Sequence, residues 1–301
     1  MPWFAIRIPV KASWVSRLEE LSEQQEVWPW LLSTSLQGEP MGELSGFFPS
    51  REAALLARDQ LFQILPSTEI TPLPEKPEPV SEEEQDWESL YRAHFEPWSM
   101  GGIHWVPIWQ RNDYHPPQGE KVIWLDPGMA FGTGNHETTR LCLAALAEWV
   151  QQKKDINAWS SEETLIDAGC GSGILAFSAA ALGFHPVVGF DNDPLAVEIA
   201  RKNTGLQETV CPSPEFRCGD LSTGWPSFRG QVVVANILAP VLVENRQALA
   251  KAVAPGGTLI LSGILTSEAE DVADFFRPFF RHCSQKSMGE WSAIILDRPA
   301  R

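Results

Sequence analysis

The sequence predicts an α/β chain in which a mostly parallel, doubly wound sheet follows a small α+β module. Three observations predict it. From residue 164 onward, short β-branched or apolar runs alternate with amphipathic stretches, as strands and crossover helices do in a parallel sheet. The first of those runs ends in Asp167 and passes through Gly169, Gly171 and Gly173 into a helical stretch at 174–182, the order strand, tight turn, helix. Between these parts, Pro72, Pro74, Pro77 and Pro79 alternate with charged residues and Glu82, Glu83 and Glu84 follow, a composition that makes a linker and not a core. The expected division is a small domain at 1–71, a linker with a short helix at 72–98, and the sheet domain at 99–301.

In the small domain, residues 3–10 alternate as a strand, and 13–26 place Trp14, Leu18 and Leu21 along one helical face. Residues 27–36 are rich in Trp and Leu, 37–40 supply turn chemistry, and 41–48 return as a partner strand. Ser50 is placed to cap a helix carrying Ala54, Leu55, Leu61 and Ile64, and a last strand is expected at 68–71. That order suits a ferredoxin-like module. Trp3, Trp14, Trp28 and Trp30 either pack its core or form a docking surface.

Within the linker, residues 86–95 read as a short helix, and beyond it 103–109 and 122–125 read as strands. A loop containing Gly128, Gly132 and Gly134 leads to a helix at 137–149, with Asn135 as its cap and with His136, Thr138 and Thr139 offering polar groups at its start. The polar stretch 151–163 reads as a surface loop. Beyond the glycine turn, a strand at 187–191 ends in Asp191, and Pro194 sits in the first turn of a helix running to Asn203. A weaker strand at 216–218 precedes Gly219 and Asp220, and a strand at 232–236 ends in Asn236. A helix at 240–253, a strand at 258–262, a helix at 267–279 and a hairpin of 282–287 with 291–296 complete the chain.

The charge is lopsided, 39 acidic against 23 basic residues for a net of -16. Such a surface repels nucleic-acid phosphates, so no nucleic-acid substrate is expected; it either attracts a lysine-rich protein or serves solubility alone. The five cysteines form no CxxC pair and the six histidines no metal-ligand cluster, which points to a reducing cytoplasm and to no metal site. The N-terminus lacks a signal-peptide pattern and every apolar run is interrupted short of membrane-spanning length, so no membrane role is expected.

The glycine turn carries the chemistry. Its spacing departs from GxGxxG, with Ile174 where the last glycine belongs, and so does not favour a pyrophosphate. With Asp191 about twenty residues on, it fits a cofactor whose amino acid and ribose cross the turn; a tight turn without a ligand is the alternative. Ligands of such sheets bind beyond the C-terminal strand ends, where Gly169, Asp191, Asp220 and Asn236 all fall. Asp191 is placed to accept hydrogen bonds from both ribose hydroxyls, and Asp220 either receives an adenine amino group or closes a turn. This arrangement resembles the S-adenosylmethionine (AdoMet) site of class I methyltransferases.

Gly132-Thr-Gly-Asn-His-Glu-Thr-Thr139, the strand end Val234-Ala-Asn-Ile-Leu238 and Pro255-Gly-Gly-Thr-Leu-Ile-Leu-Ser-Gly-Ile264 together resemble the ribosomal protein methyltransferase family often called PrmA, from about Trp105 to the C-terminus. The resemblance implies a Rossmann-like class I methyltransferase domain that uses AdoMet, releasing S-adenosyl-L-homocysteine. The implied acceptors are amino groups of large-subunit ribosomal protein eleven: lysine side chains, the N-terminal α-amine or both. It also implies that Thr139, Gly169, Asp191 and Asn236 contact AdoMet; Gly171 and Asp167 complete the expected cofactor set, with Asp220 beside them. Asn236 either orients the cofactor or incoming amine or only caps the next helix, and His136 either accepts a proton or only packs its loop. The expected partner is the free ribosomal protein and not the assembled subunit, and the expected state is a monomer. The N-terminal module corresponds in arrangement to the family's substrate-recognition domain.

The chain departs from the family in carrying Tyr91 and Glu96 where members tend to carry Trp and Lys, and in a longer 151–163 stretch, differences that bear on docking more than on methyl transfer. Other readings are methylation of another basic protein, or AdoMet binding without turnover in a ribosome-assembly factor. Adenine or glutamine amide methylation is disfavoured because Asn236-Ile-Leu-Ala replaces the Asn/Asp-Pro-Pro-aromatic segment of such enzymes. A nicotinamide oxidoreductase lacks its GxGxxG here.

Overall fold

The computed structural model describes residues 4–11, 30–34, 41–48, 50–64, 78–79, 96–126, 136–160, 162–208, 210 and 212–300. The chain divides into two compact units, Met1–Ala93 and His94–Arg301.

In the first unit, strands β1 (Phe4–Lys11), β2 (Trp30–Thr34), β3 (Met41–Phe48) and β4 (Glu78–Pro79) form an antiparallel sheet in the order β2-β3-β1-β4. Helix α1 (Arg51–Ile64) starts where Ser50 Oγ accepts from the Ala53 N–H at 3.1 Å, the expected cap. Ile6, Ile8, Leu44 and Phe48 of the sheet and Ala54, Ala57 and Leu61 of α1 are buried together as its core. β4 falls inside the stretch read as linker. Pro79 is tolerated there because β4, among the described residues, lies at the edge of the sheet beside β1. The helices expected at 13–26 and 86–95, the strand at 68–71 and the residues Trp3, Trp14 and Trp28 lie outside the described residues.

The second unit opens with β5 (Trp98–Met100), β6 (Ile103–Pro107) and β7 (Lys121–Leu125), a small sheet in the order β5-β6-β7. β5 was not expected, although its turn was legible: Gly101 and Gly102 both have positive φ, 60° and 78°, as a two-residue hairpin loop requires. Trp98 stacks on Trp105 at 4.1 Å across that hairpin. The strand expected at 103–109 stops at Pro107 and closes as a 3₁₀ turn, Ile108–Gln110.

Helix α2 (Glu137–Asp155) follows and runs six residues beyond the expected 149, into the presumed loop. No Gly or Pro interrupts it, Lys153 and Lys154 complement its C-terminal dipole, and it ends before Asn157, the one described non-glycine residue with positive φ, 51°.

The large sheet contains β8 (Leu165–Ala168), β9 (Val187–Asp191), β10 (Glu215–Cys218), β11 (Gly230–Asn236), β12 (Val253–Leu265), β13 (His282–Met288) and β14 (Trp291–Asp297), in the order β10-β9-β8-β11-β12-β14-β13. Every pair is parallel except the two made by β14. The chain leaves β8 for β9 and β10 on one side, then returns past β8 to β11 on the other, so the sheet has a topological switch point between β8 and β11. Its helices are α3 (Ile174–Leu182), α4 (Pro194–Thr204), α5 (Ala239–Glu244), α6 (Arg246–Ala252) and α7 (Ala269–Phe276).

β11 shows why both faces are covered. Val232 and Val234 join one core with Phe177, Val197 and Leu146, while Val233 and Ala235 join another with Leu242, Leu249 and Phe276. The single helix expected at 240–253 is two, meeting at Asn245, whose Nδ2 donates to the Val241 carbonyl at 2.9 Å beside the backbone bond that carbonyl also accepts. The helix expected at 267–279 is shorter, with a 3₁₀ turn at Arg277–Phe279.

Candidate functional site

The glycine turn joins β8 to α3. Gly169, Gly171 and Gly173 have φ of 79°, 51° and 85°, backbone that a side chain rarely adopts. At Gly169 space demands glycine as well, since a Cβ there would lie 2.5 Å from Ile237 Cγ2. The turn is pinned to β9 by Gly169 and Cys170, whose N–H groups both donate to the Phe190 carbonyl, at 2.9 and 3.0 Å.

Asp191 ends β9 beside this turn. Its Oδ2 accepts from the Gly171 N–H at 2.9 Å and its Oδ1 from the Asp193 N–H at 3.0 Å. The carboxylate thus fixes the turn, and a carboxylate with about four lone-pair sites keeps capacity for two further donors.

Asp167, the last acid of β8, is fully buried. Its Oδ2 accepts from the Ala176 N–H at 3.1 Å, and its Oδ1 has no partner among the described residues. Loss of hydration pushes its carboxyl up to about 7; the Ala176 N–H works against that shift and the charge of Asp191 adds to it. Burial, and then the charge of Asp167, also push the neighbouring Cys142 and Cys170 thiols upward, so neither serves as a thiolate nucleophile.

Asn236 ends β11, across the switch point. Its Nδ2 donates to Thr138 Oγ1 at 3.2 Å and to Thr139 Oγ1 at 3.4 Å, while its buried Oδ1 has no partner among the described residues. The two threonines sit in the first turn of α2, both buried. The cap of α2 is His136, whose side chain accepts from the Thr138 N–H at 3.3 Å; the expected cap, Asn135, and the loop glycines Gly128, Gly132 and Gly134 lie outside the described residues. The His136 ring also meets Trp291 edge to face at 5.1 Å. Asn236 caps no helix: α5 begins after Leu238 without a side-chain cap.

Asp220 follows β10, whose Cys218 pairs in register with Asp191. Its Oδ1 accepts from the backbone and hydroxyl of both Ser222 and Thr223, and those hydrogen bonds hold the carboxyl down at about 2. It acts here as a turn-former.

The structure therefore gathers Gly169, Gly171, Asp191 and the buried Asp167 on one side of the switch point. His136, Thr139 and Asn236 lie on the other, and the contact of Gly169 with Ile237 joins the two sides. Three contributors were not among the expected site residues. Thr138 supplies the nearer hydroxyl to Asn236, a role its place in the first helical turn hinted at. Trp291 reaches His136 only because β14 inserts beside β12, which no local pattern announces. Gly263, φ 82°, lets β12 pass where a Cβ would lie 2.5 Å from the Ile237 carbonyl oxygen.

The acceptors fit a cationic ligand. Asp167 Oδ1 and Asn236 Oδ1 are buried at the ends of adjacent strands and have no partner among the described residues, beside positive-φ backbone that a ligand can approach closely. An ammonium and a sulfonium, as AdoMet carries, suit that set.

Known proteins share this architecture. The family model described as ribosomal protein L11 methyltransferase (PrmA) matches residues 13–299. The ribosomal protein L11 methyltransferase of Janthinobacterium sp. (strain Marseille) is 41% identical over 218 residues, covering 72% of this chain and 66% of its own length. That of Burkholderia cenocepacia is 39% identical over 254 residues, covering 79% of this chain and 76% of its own. The match therefore spans only about two thirds of the first relative's length. A crystal structure of ribosomal protein L11 methylase from Lactobacillus delbrueckii subsp. bulgaricus superposes with a TM-score of 0.55 at 26% identity, covering 66% of this chain and 95% of that one.

Proposed function

The chain belongs to the ribosomal protein L11 methyltransferase family, and from that membership we propose that it transfers methyl groups from AdoMet to amino groups of large-subunit ribosomal protein eleven, on lysine side chains, the N-terminal α-amine or both. The observation that carries the reading is the pairing, across one switch point, of a glycine turn braced by Asp191 with an Asn236 whose buried Oδ1 has no partner among the described residues.

When bound, AdoMet supplies an electrophilic methyl group on a sulfonium. The protein's residues do the rest by placement. Gly169 and Gly171 offer backbone for close approach, Asp191 has lone pairs that ribose hydroxyls would use, and the Asp167 oxygen with no partner among the described residues would receive the ammonium. Thr139 and Asn236 close the opposite side. Asn236 Oδ1 accepts an N–H of the incoming amine and so aims the amine lone pair; alignment of this kind lowers a barrier by roughly 7 to 11 kcal/mol. A lysine with pKa near 10.4 must first become neutral, at a cost of about 4 to 5 kcal/mol at pH 7. Desolvation against the buried walls of the site favours that neutral form.

In this reading the unit Met1–Ala93 docks the ribosomal protein, which is taken free and not from the assembled subunit. The protein acts as a cytoplasmic monomer. The net charge of -16 supports attraction of a lysine-rich partner. Among the described residues, no helix is long and apolar enough to cross a membrane.

The test is incubation with AdoMet and unmodified ribosomal proteins, read by intact-mass and peptide mass spectrometry. Methyl increments confined to amines of protein eleven are expected. Increments on a different protein would move the substrate assignment, and none on any protein would remove the enzymatic one.

A further inference from the structure

Resting on the amine-methylation reading, we infer that His136 and Thr138 are positioning residues: a one-way chain of hydrogen bonds beginning at the Thr138 backbone N–H fixes which way the Asn236 amide faces. The direction follows from donors and acceptors alone. A backbone N–H only donates, so His136 Nδ1, which receives it at 3.3 Å, is an unprotonated acceptor and the neutral ring carries its proton on Nε2. The same Nδ1 lies 2.8 Å from Thr138 Oγ1. With no proton of its own to give, it accepts a hydrogen bond from the Thr138 hydroxyl, its one lone pair shared between the two donors. Thr138 Oγ1 has then spent its one donor, and toward Asn236 it only accepts, which places Nδ2 at the 3.2 Å contact. The second Nδ2 proton goes to Thr139 Oγ1 at 3.4 Å.

Both amide protons are thus committed, and Oδ1 is left buried without a partner among the described residues. A reversed amide would need Thr138 to donate twice from one hydroxyl. The edge-to-face contact with Trp291 at 5.1 Å holds the imidazole plane that the chain requires. His136 Nδ1 is occupied in this way, so His136 acts through Thr138 and Asn236 and not on the substrate's proton at that atom. The result is a fixed acceptor that takes an N–H from an amine and discriminates against acceptors that present no N–H.

Two measurements on the full chain test this. In ¹⁵N-detected spectra at about pH 8, His136 is expected as the Nε2–H tautomer, with Nδ1 unprotonated and perturbed by T138V; a proton on Nδ1 overturns the inference. In kinetics at saturating AdoMet and ribosomal protein, T138V is expected to lower kcat about 10-fold or more, as loss of one hydrogen bond of about 1.4 kcal/mol would, while T138S retains activity. N236A/T138V is expected to be no slower than N236A alone. Wild-type kcat in T138V, or additive losses in the double variant, would overturn it. Absence of methyl transfer by the unsubstituted protein counts against the amine-methylation reading instead, and the tautomer still decides the orientation.

Discussion

At the residue scale, Asp167 is the carboxyl of the site that burial takes furthest from its free form. Its carboxyl titrates near 7 because burial strips its hydration. The unfolded chain releases that proton near pH 3.9, whereas the native state holds it until about pH 7. Stability therefore falls as pH rises through that window and levels off above it, by an amount on the order of 4 kcal/mol. Urea midpoints between pH 4 and 8 are expected to show the decline, and D167N, which keeps the shape without the charge, to flatten it. AdoMet binding should run the other way. A cation favours the ionised carboxylate, so affinity is expected to rise from about pH 6 to 7.5, before the ligand's own α-amine loses charge near 8; titrations in buffers of different ionisation enthalpy would register the released proton.

Residue types at strand ends were legible in the sequence: Asp191 and Asn236 stand where alternation predicts a strand to stop. Their partners were not. That Asp191 braces Gly171, or that Asn236 meets Thr138 across 98 positions of sequence, depends on which strands become neighbours. Asp220 looked equivalent to Asp191 by position, yet Ser222 and Thr223 beside it take up its Oδ1 locally.

At the element scale, the strand–turn–helix unit around Gly169 sets the site's shape. G169A meets both a φ of 79° and a Cβ position 2.5 Å from Ile237 Cγ2. G289A meets only a φ of 59°, with open space around its Cβ. We expect G169A to cost roughly 1 to 3 kcal/mol or more and to weaken AdoMet binding, and G289A to cost about 1 kcal/mol and leave binding alone. Denaturant melts of the two variants check the contrast, and equal costs would remove the close-approach argument.

The βα units from residue 164 onward were readable because each strand is short, apolar and punctuated. Helix ends were less so. α2 continues through polar residues because nothing in 151–155 breaks a helix, and 240–253 divides at Asn245, a break that composition does not reveal. The insertion of β14 between β12 and β13 is a long-range pairing decision, invisible to any window of local sequence.

At the scale of the whole molecule, the division into Met1–Ala93 and His94–Arg301 places every group named in the candidate site within the second unit. The proline-rich run predicted a linker, and part of it instead pairs as β4, since an edge strand demands little of a proline. A chain beginning at His94 is expected to keep AdoMet affinity within about 3-fold while losing transfer to the ribosomal protein, because docking and cofactor binding then lie in different units. Retained transfer would remove the docking role from the first unit.

The central claim is that the crevice between β8 and β11 takes AdoMet, with Asp191 as the carboxylate holding its sugar. Calorimetric titration of AdoMet into the full chain and into D191A tests it most directly. Saturable binding by the unsubstituted protein, weakened about 10-fold or more in D191A, is the predicted result, since charged-group hydrogen bonds contribute about 1.5 to 3 kcal/mol. Equal affinities in the two proteins, or no binding in either, would contradict the account.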